Sequence, residues 1–333
     1  MLKRLIFFHC CFLLFILSDA NAQMAGAVKG VKPPVQTIII DAGHGGMDVG
    51  AQGSETTEAA ITLGISLKLR DLVKDQIPEL KVLMTREKDE LPGGLHDKNA
   101  ALKWRANFAN ENKGDLFVCI HVDALAARYE RRQVGTRTET RSYFTGKGKK
   151  RKKVSREVDV PIYKSFKLPN TKTGSSTWIV AANAYDNKTK AVGNMSELYE
   201  GVDLSGADST QPLIDPIEAK IRVQQYTKYF FTKSLTFAEM VQEELQKAGR
   251  INRGVAQRDW ERIWVLQATQ MPSVLIENGF IDNPDDEAFL MSDDGQTKVA
   301  QAITNAIKRY KLQLETAQKH AQDAKNNLQS TPK

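Results

Sequence analysis

The chain has 333 residues, enough for one large domain or two small ones, and 41% of them are hydrophobic, which supports a packed core rather than a disordered chain. A formal charge of +7 is moderate and suits an anionic partner such as cell wall, membrane surface or nucleic acid. Residues 1–22 read as a targeting segment. Lys3 and Arg4 form its basic start, Leu5 to Leu17 its apolar core and Ala20-Asn21-Ala22 a small-x-small cleavage site. The apolar run is short for a membrane anchor. Export would remove Cys10 and Cys11 and leave Cys119 alone, which excludes an intramolecular disulfide.

Residues 23–36, with Pro33-Pro34, read as a linker, and the folded domain is expected over 37–312. Thr37-Ile38-Ile39-Ile40 is a short buried strand that runs through Asp41-Ala42 into the turn Gly43-His44-Gly45-Gly46. His44 then lies at the strand's carboxyl end, where open α/β sheets place their sites. A lone histidine in a turn is as often merely structural. Residues 56–75 read as a helix with Ile61, Ile65, Leu69 and Leu72 at helical spacing, capped by Thr56 or Thr57, and Glu58 falls in its first turn. There the helix dipole favours a carboxylate with or without a ligand role. Lys81–Thr85 reads as a strand and 98–112 as a helix. His96, in the loop between them, reads as a surface histidine. Leu116–His121 is a second apolar strand that ends on a histidine. Cys119 is read as a buried hydrophobe on the face opposite His121. Asp123 either orients a ligand or caps the turn.

The later chain is less regular. Between Arg128 and Lys153 there are eleven Lys or Arg against two Glu. Such a run is usually a solvated loop. It also fits an anionic polymer of the envelope, the binding expected here, or phospholipid headgroups. Nucleic acid is not expected, because the chain looks exported and the run lacks an aromatic ladder. Residues 174–180 read as a strand, 191–200 as the start of a helix, and 215–248 as a long helix broken once or twice. Arg253–Val255, Ile263–Leu266 and Met271–Ile276 read as two further strands and their approach. The last ends on Glu277, a carboxylate beside Asn278-Gly279 where a buried charge needs a partner. A helix starts at 284, another spans 295–312, and 313–333 reads as a frayed polar tail. Two strand-end histidines, with Glu58 and Glu277 in matching contexts, point to one metal centre.

The ordered set IIIDAGHGG, TEAAITLGISLKLRD, CIHVDA and PSVLIENGFIDNPDDE resembles the zinc-dependent N-acetylmuramoyl-L-alanine amidases that cut peptidoglycan at cell division. The resemblance covers about residues 37–312. It implies a single-domain α/β fold: a twisted, mostly parallel central sheet flanked by helices, with an inserted regulatory segment. It implies Zn2+ held by His44, Glu58 and His121, with Glu277 as the catalytic base. The Arg86 and Arg105 segments match family positions, and Arg105 is expected to be structural. The resemblance also implies a periplasmic or extracellular location, peptidoglycan as substrate and an envelope activator protein, with no stable membrane span once the targeting segment is removed. The basic insertion (126–173) departs from compact relatives. Residues 183–233 take the place of a regulatory insertion, from which Glu200, or failing that Glu197, would reach the zinc. The rival readings are a zinc peptidase acting on the stem peptide and a non-catalytic wall-binding module.

Overall fold

The structure is a computed structural model that describes residues 34–181, 185–194, 216–258 and 263–330. The expected targeting segment and Glu197 and Glu200 lie outside the described residues. Six strands form the central sheet in the order β2-β1-β3-β8-β6-β7. They are β1 (Thr37–Ala42), β2 (Lys81–Met84), β3 (Leu116–Asp123), β6 (Ser175–Ile179), β7 (Asn252–Gln257) and β8 (Ser273–Phe280). β2, β1, β3 and β8 run parallel. β6 pairs antiparallel to β8 and parallel to β7. The carboxyl ends of β1, β3 and β8 therefore meet at one edge of the sheet.

Both faces of the sheet are covered, which is why its strands read as continuous apolar runs. Ile38, Ile40, Val118, Ile120, Val274 and Ile276 pack on one side against α1 (Glu58–Gln76), α4 (Pro216–Lys247) and α7 (Asp293–Ser330). Ile39, Phe117, Cys119 and Leu275 face the other way, toward α2 (Lys98–Glu111) and α5 (Trp264–Ala268). α1 buries Ile61, Ile65, Leu69 and Val73, four positions at helical spacing. Each fully buried Ile or Leu contributes roughly 1.5–3 kcal/mol relative to exposure. Thr57 caps α1 by accepting from the Ala60 N–H at 3.4 Å, and Asp97 caps α2 at Ala100. The remaining helices are α3 (Tyr185–Val192) and α6 (Pro284–Met291).

Several expectations change. The basic run is a hairpin of two long strands, β4 (Tyr129–Thr145) and β5 (Lys152–Lys167), not a solvated loop. Alternating β-branched and aromatic residues on β5 supply the strand preference that the charge count hides. α4 continues through residue 233 to Lys247 without a break, so 216–233 is one helix with the Ser234-Leu235 segment. Of the three segments read as two strands and their approach, Arg253–Val255 falls in β7 and Met271–Ile276 leads into β8. Ile263–Leu266 enters the short helix α5, whose Val265 and Leu266 pack on the sheet face of Ile39, Phe117 and Leu275. The polar tail continues α7 to Ser330, since 313–330 is rich in helix formers and lacks Gly and Pro. Cys119 shares the face of His121, as residues two apart on a strand must.

Candidate metal centre

Among the described residues, one group of side chains could hold a metal ion: His44, Glu58 and His121, whose donor atoms all lie within 4.8 Å of one another. His44 and His121 come from the ends of β1 and β3. Glu58 reaches them from the first turn of α1, across the carboxyl edge of the sheet. Its Oε2 lies 3.1 Å from His44 Nε2 and its Oε1 lies 2.7 Å from His121 Nδ1. Backbone N–H groups of Ala51 and Val122 donate to the same carboxylate at 2.9 and 3.1 Å. The two imidazoles meet edge to face with centroids 4.9 Å apart.

Tight backbone makes this possible. A Cβ on Gly43 would stand 2.5 Å from His121 Nε2, and one on Gly50 would stand 2.6 Å from Glu58 Oε2. His44 itself has φ 59°, a left-handed conformation that costs a non-glycine residue about 1–3 kcal/mol and persists only where the surroundings hold it. Two buried arginines supply that hold. Arg105 donates to Ala42 O at 2.8 Å and His44 O at 2.6 Å. Arg86 donates to Ala42 O at 3.0 Å, and to Gly43 O and Ala59 O at 2.8 Å each. Arg105 also pairs with Asp41, which accepts from Thr85 Oγ1 at 2.6 Å and from Cys119 Sγ at 2.8 Å. Arg105 is thus structural, as expected, but it acts directly on the loop that carries His44.

Electrostatics follow from this packing. Burial pushes the Glu58 carboxyl upward, but hydrogen bonds from His121 and His44 outweigh it, so its pKa ends well below the usual range. Burial pulls His44 down, and the bond and charge of Glu58, then of Asp48, leave it raised. Asp48 contacts His44 Nδ1 at 2.9 Å and so leaves Nε2 turned to the cluster. A carboxylate behind a ligating imidazole is the usual support of a zinc histidine. Asp48 was not singled out in the sequence. Its signal is a carboxylate four residues after His44 in a glycine-rich turn. Burial and the neighbouring Asp41 push the Cys119 thiol well up, which removes it as a nucleophile.

Glu277 stands opposite His121 in the β3–β8 register. It is buried, and Oε2 has no hydrogen-bond partner among the described residues. Burial first, then the charges of Glu58 and Asp123, push its pKa well up, against the pull of Arg258. Arg258 Nη2 lies 4.0 Å from Glu277 Oε1, and its guanidinium lies over the Trp178 ring at 4.9 Å. The sequence reading did not single out either residue: Arg258 comes to Glu277 from just past the end of β7, and Trp178 lies under its guanidinium from β6. Asp123 takes the turn role, accepting from the Ala124 N–H at 2.8 Å. His96 is exposed. A cavity of about 60 Å³ opens beside His44, Asp48, Cys119 and His121. A larger one, about 330 Å³, lies among Asp115, Tyr226, Met271 and Tyr310 and touches none of these groups.

Two imidazoles and one carboxylate, with further positions left open, form the donor set of a catalytic zinc site. A sequence model of the N-acetylmuramoyl-L-alanine amidases matches residues 38–309. The chain belongs to that family. As a zinc amidase family, it accounts for the His44, Glu58 and His121 cluster. The chain is 29% identical over 315 residues to the N-acetylmuramoyl-L-alanine amidase AmiC of Escherichia coli O6:H1, covering 90% of this chain and 61% of that protein. It is 28% identical over 299 residues to AmiC of Neisseria meningitidis serogroup B, covering 88% and 56%. The chain thus spans about three fifths of the length of these curated relatives. The CwlD amidase of Clostridioides difficile, solved in complex with the GerS lipoprotein, shares the fold. Its TM-score is 0.50 at 24% identity, over 83% of this chain and 98% of that one.

Proposed function

We propose that the chain hydrolyses the amide between N-acetylmuramic acid and L-alanine in peptidoglycan, in the cell envelope, during wall remodelling and daughter-cell separation. The observation that carries this reading is the placement of buried Glu277 beside the His44, Glu58 and His121 cluster on neighbouring strands. His44, Glu58 and His121 would hold the zinc. When bound, zinc lowers the pKa of water and polarises the scissile carbonyl. Glu277 accepts the proton of the attacking water and passes it to the leaving amine of L-alanine. Asp48 keeps His44 oriented through the whole cycle. Digestion of purified sacculi tests the reading. Free lactyl carboxyl groups on muramic acid and new L-alanine amino termini are the expected products. New termini inside the stem peptide would instead establish a peptidase, and unchanged sacculi a binding module.

Regulation belongs to the same proposal. In this reading the segment 183–233 would supply Glu200 to the zinc site as an inhibitory ligand and an envelope activator would release it, since a carboxylate in the open place would exclude the water that hydrolysis needs. Glu200→Ala should raise cleavage in the absence of any partner, and unchanged activity with intact zinc content would remove Glu200 from the account. Among the described residues no helix is long and apolar enough to cross a membrane.

A further inference from the structure

The β4–β5 hairpin differs in charge from the rest of the molecule. Residues 128–167 carry fourteen Lys and Arg against four Asp and Glu, a net +10. The whole chain is +7, so all other residues together are −3. The hairpin is the positive pole of a slightly acidic protein.

Its two faces differ as well. Opposed residues of an antiparallel ladder share a face, as do residues two apart on one strand. By this register, Tyr143, Val154, Val158, Val160, Ile162 and Phe166 fall on one face. Arg132, Arg137, Arg141, Arg156 and Lys164 are interleaved with them, as are Glu130, paired with Arg132, and Glu139, paired with Arg137 and Arg141. Ring contacts agree with the assignment: the Arg156 guanidinium lies 5.6 Å from the Tyr143 centroid, and that of Arg132 lies 5.8 Å from Phe166. The other face carries hydroxyls along its middle, with Ser142 bonded to Ser155 at 2.7 Å and Thr138 donating to Asp159 at 3.0 Å. It places Tyr129 and Tyr163 toward the root and Phe144 toward the tip, with Arg131 over Tyr163 and Arg151 over Phe144. Tyr143 is 45% and Phe166 42% exposed. Lys147, Lys149 and Lys150 occupy the turn at the tip.

The root of the hairpin sits at the rim of the metal centre. Asp282, five residues beyond Glu277, accepts from the Leu125 N–H at 3.3 Å and from Asn170 Nδ2 at 2.9 Å. At about 3.3 Å per residue, the strands reach on the order of 50 Å from that root.

We propose that this hairpin is an arm that docks the protein on an anionic phospholipid membrane. An anionic glycan polymer would engage the cations and leave the Val, Ile and aromatic stripe in water. A bilayer interface takes both, with phosphates at the Lys and Arg heads and the stripe at the acyl boundary. A second copy is a poor occupant, because two +10 hairpins repel. The −3 body is repelled by the same surface, so the molecule stands arm first. This inference is independent of the hydrolytic reading.

Vesicle sedimentation tests it, using the chain from Gln23 onward. That chain keeps every described residue and omits the apolar run 5–17, which would bind lipid unaided. The protein should sediment with phosphatidylcholine vesicles containing phosphatidylglycerol at roughly three to one, and not with phosphatidylcholine alone. Replacing Lys149, Lys150, Arg151 and Lys152 with Gln should lower partitioning at least about tenfold, since each cation near the surface counts. Val154→Thr with Ile162→Thr and Phe166→Thr keeps charge and strand preference. That triple variant should bind vesicles several-fold less while its retention on sacculi is unchanged. Tyr143→Trp reports insertion even if the triple variant loses its hairpin: on anionic vesicles its added emission should shift to the blue. Equal sedimentation with both vesicle types, or an unshifted emission, overturns the proposal. So does full binding by a folded triple variant, which would indicate a charge-only polymer contact.

Discussion

Glu277 and His121 are direct partners in the parallel register of β3 and β8. Partnered residues of neighbouring strands point to the same face, so the pairing alone sets a buried carboxylate beside a histidine of the candidate metal cluster. The next strand tightens the arrangement, since Ser176 of β6 pairs with Glu277 from the other side.

From this pairing, Glu277→Gln should lower hydrolysis of purified peptidoglycan by roughly 10²–10⁴-fold, the usual contribution of a positioned proton carrier. Bound zinc, measured by elemental analysis, should stay near one per chain, because the His44, Glu58 and His121 cluster is untouched. Retained activity would show that the proton travels by another group.

Asp48 offers a second test. Asp48→Asn weakens the acceptor at His44 Nδ1 without removing a donor from the cluster. Zinc affinity, measured by chelator competition, should fall roughly 10–100-fold. Lys98→Ala should leave it nearly unchanged, since Lys98 Nζ meets the other Asp48 oxygen at the surface. His44→Ala should lose the metal and the activity together.

Beneath the centre, Arg105→Met removes the cation that pairs with Asp41, and both side chains are buried. A buried charge that loses its partner costs about 3–5 kcal/mol. Denaturant unfolding should show a loss of that order. Adding Asp41→Asn should recover part of it, because the stranded charge is gone.

Lys188 yields a pH prediction away from the site. Its Nζ is buried on α3 and donates to Leu266 O at 3.0 Å, Met271 O at 2.9 Å and Thr269 Oγ1 at 3.0 Å. Burial lowers its pKa from 10.5 to about 7. The unfolded chain therefore binds the extra proton between those values, and stability contributed by this group rises with pH across that window and is flat below it. Against Lys188→Met, the wild-type unfolding midpoint should gain steadily as pH is raised from about 7 toward 10. A constant difference would mean that Lys188 keeps its proton in the fold.

Much of the site was legible in the chain because its signals are local. A strand ending in glycines places His44, an apolar run places His121, and a capped helix start places Glu58, each within a few residues. Glu277 was legible for the same reason, as a charge at the end of an apolar strand. α1 was legible because its buried residues repeat at helical spacing, and β1 because a short continuous apolar run closes on glycines.

What depended on the tertiary structure involves partners far apart in the chain. The Asp41–Arg105 pair joins residues 64 positions apart, and the His121–Glu58 contact 63. No local period encodes such pairs. The register that sets Glu277 against His121 arises only when β3 and β8 become neighbours. The same holds for the fate of ambiguous segments. Residues 264–268 are an apolar run that suits strand or helix, and in the fold they are a helix that buries Val265 and Leu266 on the sheet face. The basic run looked like solvated loop because charge dominates its composition. Cross-strand pairing over sixteen positions made it a hairpin with a Val, Ile and aromatic stripe along one face. Composition and spacing thus determined which groups the chain owns and where along it they fall. Strand neighbours and burial, which belong to no single stretch, decided which of them meet.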